Sequence, residues 1–411
     1  MTPSAAPLAA FSGYGIELEY MIVARDGLQV LPIADRLLDR LAARPAGDFG
    51  WSNELVLHLL ELKNERPAPS LTGLAQGFQA EVATVNAMLE PLGARLMPGA
   101  MHPWMDPQRE TKLWPHRDAE IYRAYDAIFD CHAHGWANIQ SMQLNLPFAD
   151  DAEFARLHAA VRLVLPILPA LAASSPLADG RRRSELDFRM ESYRLHAARK
   201  PSLIGRVIPD NATSLAGYRT EVLEPMYAEV APFDPAGVLR HDWLNARGAM
   251  PRFGRHAIEV RVIDMQECPR ADLAVAALAS AAIRALYEAR WTDCPAQQGP
   301  STGILADILA ACVRDADAAR VDDPRYLAQF GLPSAPCRAG EIWQHLFARC
   351  GDDPLFSDAL RTTAARLLDL GPLARRILQA VGAGFDRSKL AAVYGELCNC
   401  LAEDRLFREA Q

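Results

Sequence analysis

Residues 14–22 read YGIELEYMI, a stretch in which apolar and polar side chains alternate with the period of a β-strand. Successive side chains on a strand point to opposite faces, so Ile16 and Leu18 share one face while Glu17 and Glu19 share the other. The apolar face predicts a buried core on that side of a sheet. Two neighbouring carboxylates repel each other unless a cation lies between them, and divalent metal ions are the usual cation. The alternative is a solvated strand face that happens to carry charge.

A second acidic segment follows at residues 51–63, which we predict to be a strand that enters a turn before Pro67. Glu54 and Glu61 lie seven residues apart in this run, and either a bulged strand or a helix would place both on one face. Their neighbours are mostly leucine and valine, among which unpaired carboxylates are costly to bury. The alternative is two unrelated surface acids. His58, in the same run, is predicted to be a hydrogen-bonded core residue.

Two later strands carry polar pairs with the same spacing as the first acidic pair. Gln143 and Asn145 share a face, and their amide oxygens could bind a metal ion or a substrate, or could simply face solvent. Glu259 and Arg261 share a face of a strand predicted over residues 256–265. This acid and guanidinium indicate either a structural ion pair or a metal ligand beside a phosphate-binding group.

Basic residues are frequent between residues 181 and 200, a stretch that would ordinarily be a solvated loop. Arg194, next to Tyr193, is the member of this set that we expect to contact a ligand. Cys131, His132 and His134 suggest a metal cluster, but the sequence around them lacks cysteines at zinc spacing, so structural zinc is not expected.

The composition is that of an ordinary globular protein: half of the 411 residues are hydrophobic and 23% are charged. The net charge of −8 argues against nucleic acid as a partner but says nothing against a small nucleotide substrate. We expect no stretch long and apolar enough to span a bilayer, and the first ten residues lack the basic segment of a secretory signal. Eight scattered cysteines are too few for a disulfide scaffold, so we expect reduced thiols in a cytoplasmic protein.

The organisation of the chain indicates an α+β fold, with antiparallel strands separated and followed by helices. A helix predicted over residues 151–173 contains two prolines that should kink or shorten it, and a phase slip at Ser141 predicts a β-bulge in its strand. After residue 300 strand alternation disappears. We therefore predict a catalytic domain over residues 1–295 and a helical C-terminal extension over 296–411.

The order of these segments resembles the glutamate–cysteine ligase family, and in particular its bacterial carboxylate–amine ligase branch. The matching motifs, in order, are GIExE at 15–19, the glutamates at 54 and 61, the polar strand at 141–148, LAASSP at 171–176 and IEVRxxD at 258–264. The resemblance covers residues 12 to about 290. It implies a catalytic fold similar to that of glutamine synthetase, with a curved antiparallel sheet and packed helices.

The resemblance also implies a chemistry. In this family magnesium ions lie between the carboxylates and bind the phosphates of ATP, a substrate carboxylate attacks the γ-phosphate, and an amine then displaces phosphate to form an amide. By position, Glu17 would hold one ion with Glu259. The full set of implied metal ligands is Glu17, Glu19, Glu54, Glu61, Glu259 and Gln143. Arg261 would lie along the phosphates as a catalytic and nucleotide-binding residue, Asn145 would bind substrate, and Arg194 would bind substrate and assist catalysis.

We therefore expect a ligase that uses ATP and two or three Mg²⁺ ions to join a carboxylate, such as that of glutamate, to an amine. The expected partners are small amino-acid-like molecules, with neither nucleic acid nor membrane, and association of identical chains is left open. Two alternatives remain: a related kinase whose phosphorylated product is released, and a non-catalytic protein that kept the fold. Gln143 keeps the second open, because the family usually carries a metal-binding histidine there; Lys63 also departs from the family, which tends to be uncharged at that position.

Overall fold

The computed structural model describes residues 7–41 and 47–408, and eleven strands lie within them. The strands are β1 Gly15–Ala24, β2 Phe49–Asn53, β3 Leu59–Asn64, β4 Ala94–Met97, β5 Ser141–Pro147, β6 Leu177–Ala178, β7 Arg181–Arg182, β8 Ala249–Arg252, β9 Ala257–Asp264, β10 Arg320–Val321 and β11 Cys337–Arg338. Seven of them form one open antiparallel sheet in the order β2-β3-β1-β5-β9-β8, with β4 also paired to β1. The others form two short ribbons, β6-β7 and β10-β11.

Helices account for most of the remaining described chain. The α-helices are α1 Ala34–Leu41, α2 Leu74–Leu89, α3 Pro107–Glu110, α4 Ala119–Phe129, α5 His134–Ala137, α6 Asp151–Val164, α7 Leu168–Ala172, α8 Phe188–His196, α9 Pro201–Ile204, α10 Leu215–Tyr218, α11 Glu224–Val230, α12 Pro269–Tyr287, α13 Cys294–Gln298, α14 Thr302–Asp315, α15 Pro324–Ala328, α16 Ala339–Cys350, α17 Asp358–Leu370, α18 Leu373–Val381 and α19 Arg387–Glu403. Short 3₁₀ turns span Glu90–Leu92, Leu165–Ile167, Ala231–Phe233, Asp242–Leu244, Phe253–Arg255 and Ala316–Ala318, and a π-helical turn spans Arg219–Leu223.

Strand β1 is the centre of the sheet because its two ends pair with different neighbours. Residues 17–21 pair with β3, residues 21–24 with β4, and residues 15–18 with β5. Its apolar residues Ile16 and Leu18 are fully buried in one hydrophobic cluster with side chains of α2, α6 and α12. The predicted core on this side of the strand is confirmed, and the acidic side chains consequently face the other way.

The long helix predicted over residues 151–173 is interrupted as its prolines suggested. Helix α6 begins after Asp150, whose carboxylate accepts a hydrogen bond from Glu153 N at 2.8 Å, and it gives way to a 3₁₀ turn around Pro166. The expectation that the chain has no stretch with the composition of a bilayer span was wrong, because Asp151–Ala172 has one, with a mean hydropathy of 1.5. The fold buries 89% of that apolar window, so packing inside the protein accounts for it.

Two local predictions need correction. Residues 51–63 are not one strand: they span parts of β2 and β3 and the connection between them, and Glu54 lies in that connection. The expected bulge is present but falls one or two residues later, where the register of β5 against β9 shifts between Met142 and Leu144. Both differences arise because strand ends and register depend on the partner strand, which local alternation does not reveal.

Helices after residue 296 bury their apolar side chains in the same core as the sheet. Leu305 and Trp343 belong to the main hydrophobic cluster, and helix α19 packs against α2 and β4. A buried ion pair, Arg376–Glu267, joins α18 to the connection between β9 and α12. Helices predominate in this part as predicted, although the short β10-β11 ribbon also lies within it. The division of the chain at residue 295 stays a prediction, and residues 1–6 and 409–411 lie outside the described chain.

Candidate active site

A cavity of about 590 Å³ opens over the polar face of the sheet. Side chains from six adjacent strands, β2, β3, β1, β5, β9 and β8, form its floor, and helices α4, α5 and α8 contribute to its walls. Glu17 and Glu19 of β1, Glu61 of β3, Gln143 of β5 and Arg261 of β9 all line it. The separate polar segments noted in the sequence therefore converge at one place.

Three carboxylates form the closest group in this cavity. Glu19 and Glu61 are directly opposite each other across β1 and β3, and Glu54 reaches them from the β2–β3 connection. Each offers an oxygen, and these oxygens lie within 4.8 Å of one another. Burial raises the pKa of Glu19 to about 7, and burial together with the neighbouring acids raises the pKa of Glu54 well above its ordinary range. Three carboxylates this close repel one another when all are ionised. A hard divalent cation such as magnesium, which prefers oxygen ligands, would relieve that repulsion.

Glu17 lies beside this group but outside it. Its carboxylate accepts hydrogen bonds from Asn145 Nδ2 and from an Nη of Arg255, both at 3.3 Å. Burial raises its pKa to about 8, and the charges of Glu61 and Glu259 act in the same direction. Glu17 is therefore a strong proton binder in a metal-free site, and a cation would compete with that proton.

Glu259 is fully buried between two guanidinium groups. One carboxylate oxygen accepts hydrogen bonds from Arg261 and the other from Arg252. Burial acts to raise the pKa of Glu259, but the two arginines outweigh it and hold the pKa below its ordinary value. Without a metal ion, Glu259 and Arg261 therefore form a structural ion pair, one of the two alternatives considered from the sequence. Coordination of a metal ion by Glu259 stays a prediction.

The amide side chains of β5 support the acids rather than joining them. Gln143 Nε2 donates to Glu19 Oε1 at 3.0 Å, and Ser141 N donates to Glu19 Oε2 at 2.7 Å. Asn145 donates to Glu17, and its own Oδ1 is buried with no hydrogen-bond partner among the described residues. These contacts fix the two glutamates of β1 in place, while the predicted roles of Gln143 as a metal ligand and Asn145 as a substrate ligand stay predictions.

Arg194 is not part of this cavity, which corrects the prediction that it contacts the ligand there. It is half-exposed, pairs with Glu191 at 2.7 Å, and lines a different cavity. The physical reason is helix phase. Arg194 follows Arg189 by five residues on α8, which turns it about 140° away around the helix axis. Tyr193, four residues after Arg189, shares its face and does line the cavity.

Arg189 belongs to the basic set of residues 181–200, from which we expected Arg194 to contact a ligand instead. Its side chain is almost completely buried, and its Nε donates to Asp264 Oδ1 at 2.5 Å. The other oxygen of Asp264 accepts hydrogen bonds from Ser174 N and Ser175 Oγ. One Nη of Arg189 has no hydrogen-bond partner among the described residues, although the side chain lines the cavity. A buried guanidinium with a free N–H is suited to bind an anion.

Aromatic side chains form one wall of the cavity. Tyr125 of α4 lies between Trp136 and Trp243, with ring centroids 5.2 Å and 5.8 Å away. Together with Tyr122, these rings give the cavity an apolar side. No local sequence pattern predicts this wall, because its members are spread over more than a hundred residues.

The histidines near the sheet are not brought into the cavity. His58 is buried, and its ring Nε2 lies 2.7 Å from Ala137 O; burial lowers its pKa to about 4, as a neutral core histidine requires. The prediction for His58 is confirmed. His132 lies instead in a partly exposed group with Asp126 and Asp130 outside the cavity. All eight cysteines are free.

Comparison with known proteins agrees with this geometry. The family model of glutamate-cysteine ligase family 2 (GCS2) matches residues 14–321, which include every predicted site residue. An uncharacterized protein of Archaeoglobus fulgidus is 36% identical over 263 residues, which are 63% of this chain and 70% of that protein.

Solved structures with a related fold include the glutamate–cysteine ligase of Francisella tularensis in complex with AMP. It gives a TM-score of 0.55 at 14% identity, over 97% of this chain and 89% of that one. The complex of the ubiquitin-like protein Pup with its ligase PafA gives only 0.40 at 14% identity, over 95% and 67%, which is too low to indicate a shared fold. The predicted mixed helix and antiparallel sheet is confirmed as similar to the glutamate–cysteine ligase fold, while the glutamine-synthetase type stays a prediction. The chain belongs to glutamate-cysteine ligase family 2.

Proposed function

We propose that this protein is an ATP- and magnesium-dependent ligase that joins a carboxylate to an amine through an acyl phosphate. Family membership supports a carboxylate–amine ligase. The observation that carries this proposal is the convergence of Glu19, Glu54 and Glu61 in one cavity. Arg189, whose buried guanidinium has one Nη without a hydrogen-bond partner among the described residues, lines the same cavity. Such a cavity offers both a cation site and an anion site, which is what a nucleotide–metal complex needs.

The reaction has two steps. A carboxylate oxygen of the first substrate attacks the γ-phosphorus of ATP, the bond to the β-phosphate oxygen breaks, and ADP leaves. The amine nitrogen of the second substrate then attacks the acyl carbon, loses a proton and expels phosphate. When bound, magnesium would supply positive charge to the phosphate oxygens during the first step.

The residues of the chain would mainly position reactants and neutralise charge. Glu19, Glu54 and Glu61 would hold the magnesium, and Gln143 would keep Glu19 oriented. Arg261, which lines the cavity, would lie along the phosphates as predicted. Preorganised charges of this kind accelerate phosphoryl transfer because they need not reorganise as the reaction proceeds.

Arg189 would bind a substrate anion in place of Arg194. Its guanidinium is fixed by Asp264 and cannot swing away, so its free N–H points at a constant place. The aromatic wall around Tyr125 would exclude water from the acyl phosphate, which would otherwise hydrolyse. The substrates we propose are small amino-acid-like molecules, with glutamate as the first carboxylate to examine.

The test is release of ADP and phosphate with a panel of amino acids, with the amide product identified by mass spectrometry. Glu19→Gln keeps the shape of the side chain and removes its charge, and we expect it to lower the turnover about a hundredfold or more. Glu90→Gln is the matched control, because Glu90 is an exposed acid paired with Arg25 outside the cavity, and it should behave like the wild type.

Three results would contradict the proposal. Equal turnover in Glu19→Gln and wild type would remove the site assignment. A stable phosphorylated product without an amide would favour the kinase alternative. Absence of magnesium–ATP binding at millimolar nucleotide, measured by calorimetry, would favour the non-catalytic alternative.

A further inference from the structure

Lys63 is a cation held within the acidic side of the cavity. It lies directly opposite Glu17 in the β1–β3 pair and two residues from Glu61 on the same face of β3. Its Nζ is 3.1 Å from Glu61 Oε1 and donates to Ser52 Oγ at 2.8 Å, while Ser52 Oγ donates to the same Glu61 oxygen at 2.5 Å. Two partners therefore hold the ammonium against one side of the carboxylate group.

With every carboxylate ionised, the formal charges around the cavity nearly balance without a metal ion. The carboxylates of the candidate site are Glu17, Glu19, Glu54, Glu61 and Glu259. The cations that line the cavity without a carboxylate partner elsewhere are Lys63, Arg252, Arg255 and Arg261. Two other lining residues already have partners, Arg189 with Asp264 and Asp118 with Arg117. The five acids and four cations leave a formal charge of −1, which calls for one further cation rather than several.

The balance is uneven within the cavity. Glu259 contacts two guanidinium groups, Glu17 contacts Arg255, and Glu61 contacts Lys63. Glu19 receives only uncharged N–H donors, and the described residues place no cation within 4.0 Å of the Glu54 carboxylate. The need for a cation is therefore greatest between Glu19 and Glu54.

We propose that Lys63 takes the place of a second divalent ion between Glu61 and Glu17, so that the nucleotide-free protein binds one such ion. That ion would be held by Glu19, Glu54 and Glu61. The inference rests on the proposed function, because it assumes the metal site described there. It also changes the expectation of two or three ions, since an ammonium on a strand is a permanent charge that needs no magnesium from solution.

Lys63 is suited to this place in both geometry and charge. A lysine ammonium is charged at neutral pH, and that of Lys63 lies 3.1 Å from Glu61 Oε1 at the strand position opposite Glu17. A divalent ion beside Glu61 and Glu17 would have to approach this ammonium closely, and like charges repel at that range. Removal of the ammonium would leave both acids available as oxygen ligands.

The experiment counts Mn²⁺ ions bound per chain without nucleotide, by electron paramagnetic resonance of the free ion. We expect about one ion for the wild type, about one for Lys63→Arg and about two for Lys63→Met. Lys389→Met, which changes an exposed lysine of α19, is the control and should keep one. Every protein in the series carries Asp126→Asn, so that the separate group of Asp126, Asp130 and His132 contributes no ion.

The outcomes separate this inference from the proposed function. Two ions on the wild type, or a count that stays at one in both Lys63→Met and Lys63→Gln, would overturn the inference alone. A wild type that binds no ion, or an ion that survives Glu19→Gln, would overturn the metal site of the proposed function as well. Loss of the second ion when Glu17→Gln is added to Lys63→Met would support the place assigned to it. The wild-type count decides even where a variant fails to fold.

Discussion

Proton competition at Glu19 should make metal binding strongly dependent on pH. The pKa of this carboxyl is raised from 4.5 to about 7 in the metal-free protein, chiefly by burial. A carboxyl with that pKa is ionised in about one molecule in ten at pH 6 and about nine in ten at pH 8. A metal ion must displace the proton, so its affinity should rise about tenfold from pH 6 to pH 8. Glu54, whose pKa is also raised, can only steepen the change.

The raised pKa of Glu19 also determines whether the stability of the metal-free protein rises or falls with pH. The folded protein holds the proton of Glu19 more tightly than the unfolded chain does, so the stability that this group contributes is present at low pH. It is lost progressively as the pH rises from about 4.5 through about 7. Magnesium should offset the loss, and it should therefore raise the melting temperature more at pH 8 than at pH 6.

The assay is titration calorimetry of Mg²⁺ into nucleotide-free protein at pH 6, 7 and 8, with melting curves recorded in parallel. Glu19→Gln should abolish the pH-dependent binding, whereas Glu90→Gln should retain all of it. A dissociation constant that changes by less than about twofold over this range, or tighter binding at pH 6, would refute the reasoning.

Three further predictions test the surroundings of the site. Gly135→Ala places a Cβ 2.4 Å from Ser192 O, which belongs to the backbone of α8, so this helix must move. We expect kcat/KM in steady-state assays to fall about tenfold or more, and the free energy of unfolding in urea to fall by about 1–3 kcal/mol. Arg376→Met leaves Glu267 buried without its counter-ion and should cost about 3–5 kcal/mol in urea denaturation, and a loss below about 1 kcal/mol would contradict this ion pair's role. Arg194→Ala should change turnover by less than about twofold, because the ion pair of Arg194 with Glu191 is exposed and outside the cavity. A tenfold loss of turnover would show that Arg194 does act in the site.

The parts of the fold that sequence alone could predict are those set by local periodicity. The alternation around Glu17 and Glu19 reports which side of β1 is buried, because a strand repeats every two residues. The proline break near Pro166 is equally local, since proline removes a backbone donor wherever it stands. Both features were predictable without knowledge of any partner.

The parts that sequence could not predict depend on contacts between distant residues. Whether Arg189 or Arg194 faces the cavity depends on where α8 begins, and that is fixed by Asp187, whose carboxylate accepts a hydrogen bond from Met190 N at 2.9 Å. Whether Glu259 binds a metal ion or a guanidinium depends on Arg252, which a neighbouring strand supplies. The alternation of polar and apolar residues predicts which face of the strand a side chain occupies. It does not predict which charged group lies beside that side chain.

The arrangement of β1 has a consequence for biosynthesis. Its acidic residues, together with Glu54 and Glu61, have all been synthesised once the first 64 residues are made. Arg255, which pairs with Glu17, lies 238 residues after Glu17. On the ribosome, where chains emerge from the amino end, paired β1 and β3 would present their acids to Lys63 before Arg252, Arg255 and Arg261 have been made. Closure of the sheet by β9 and β8 is then both a late, long-range folding event and the step that brings Arg252, Arg255 and Arg261 to the acidic face.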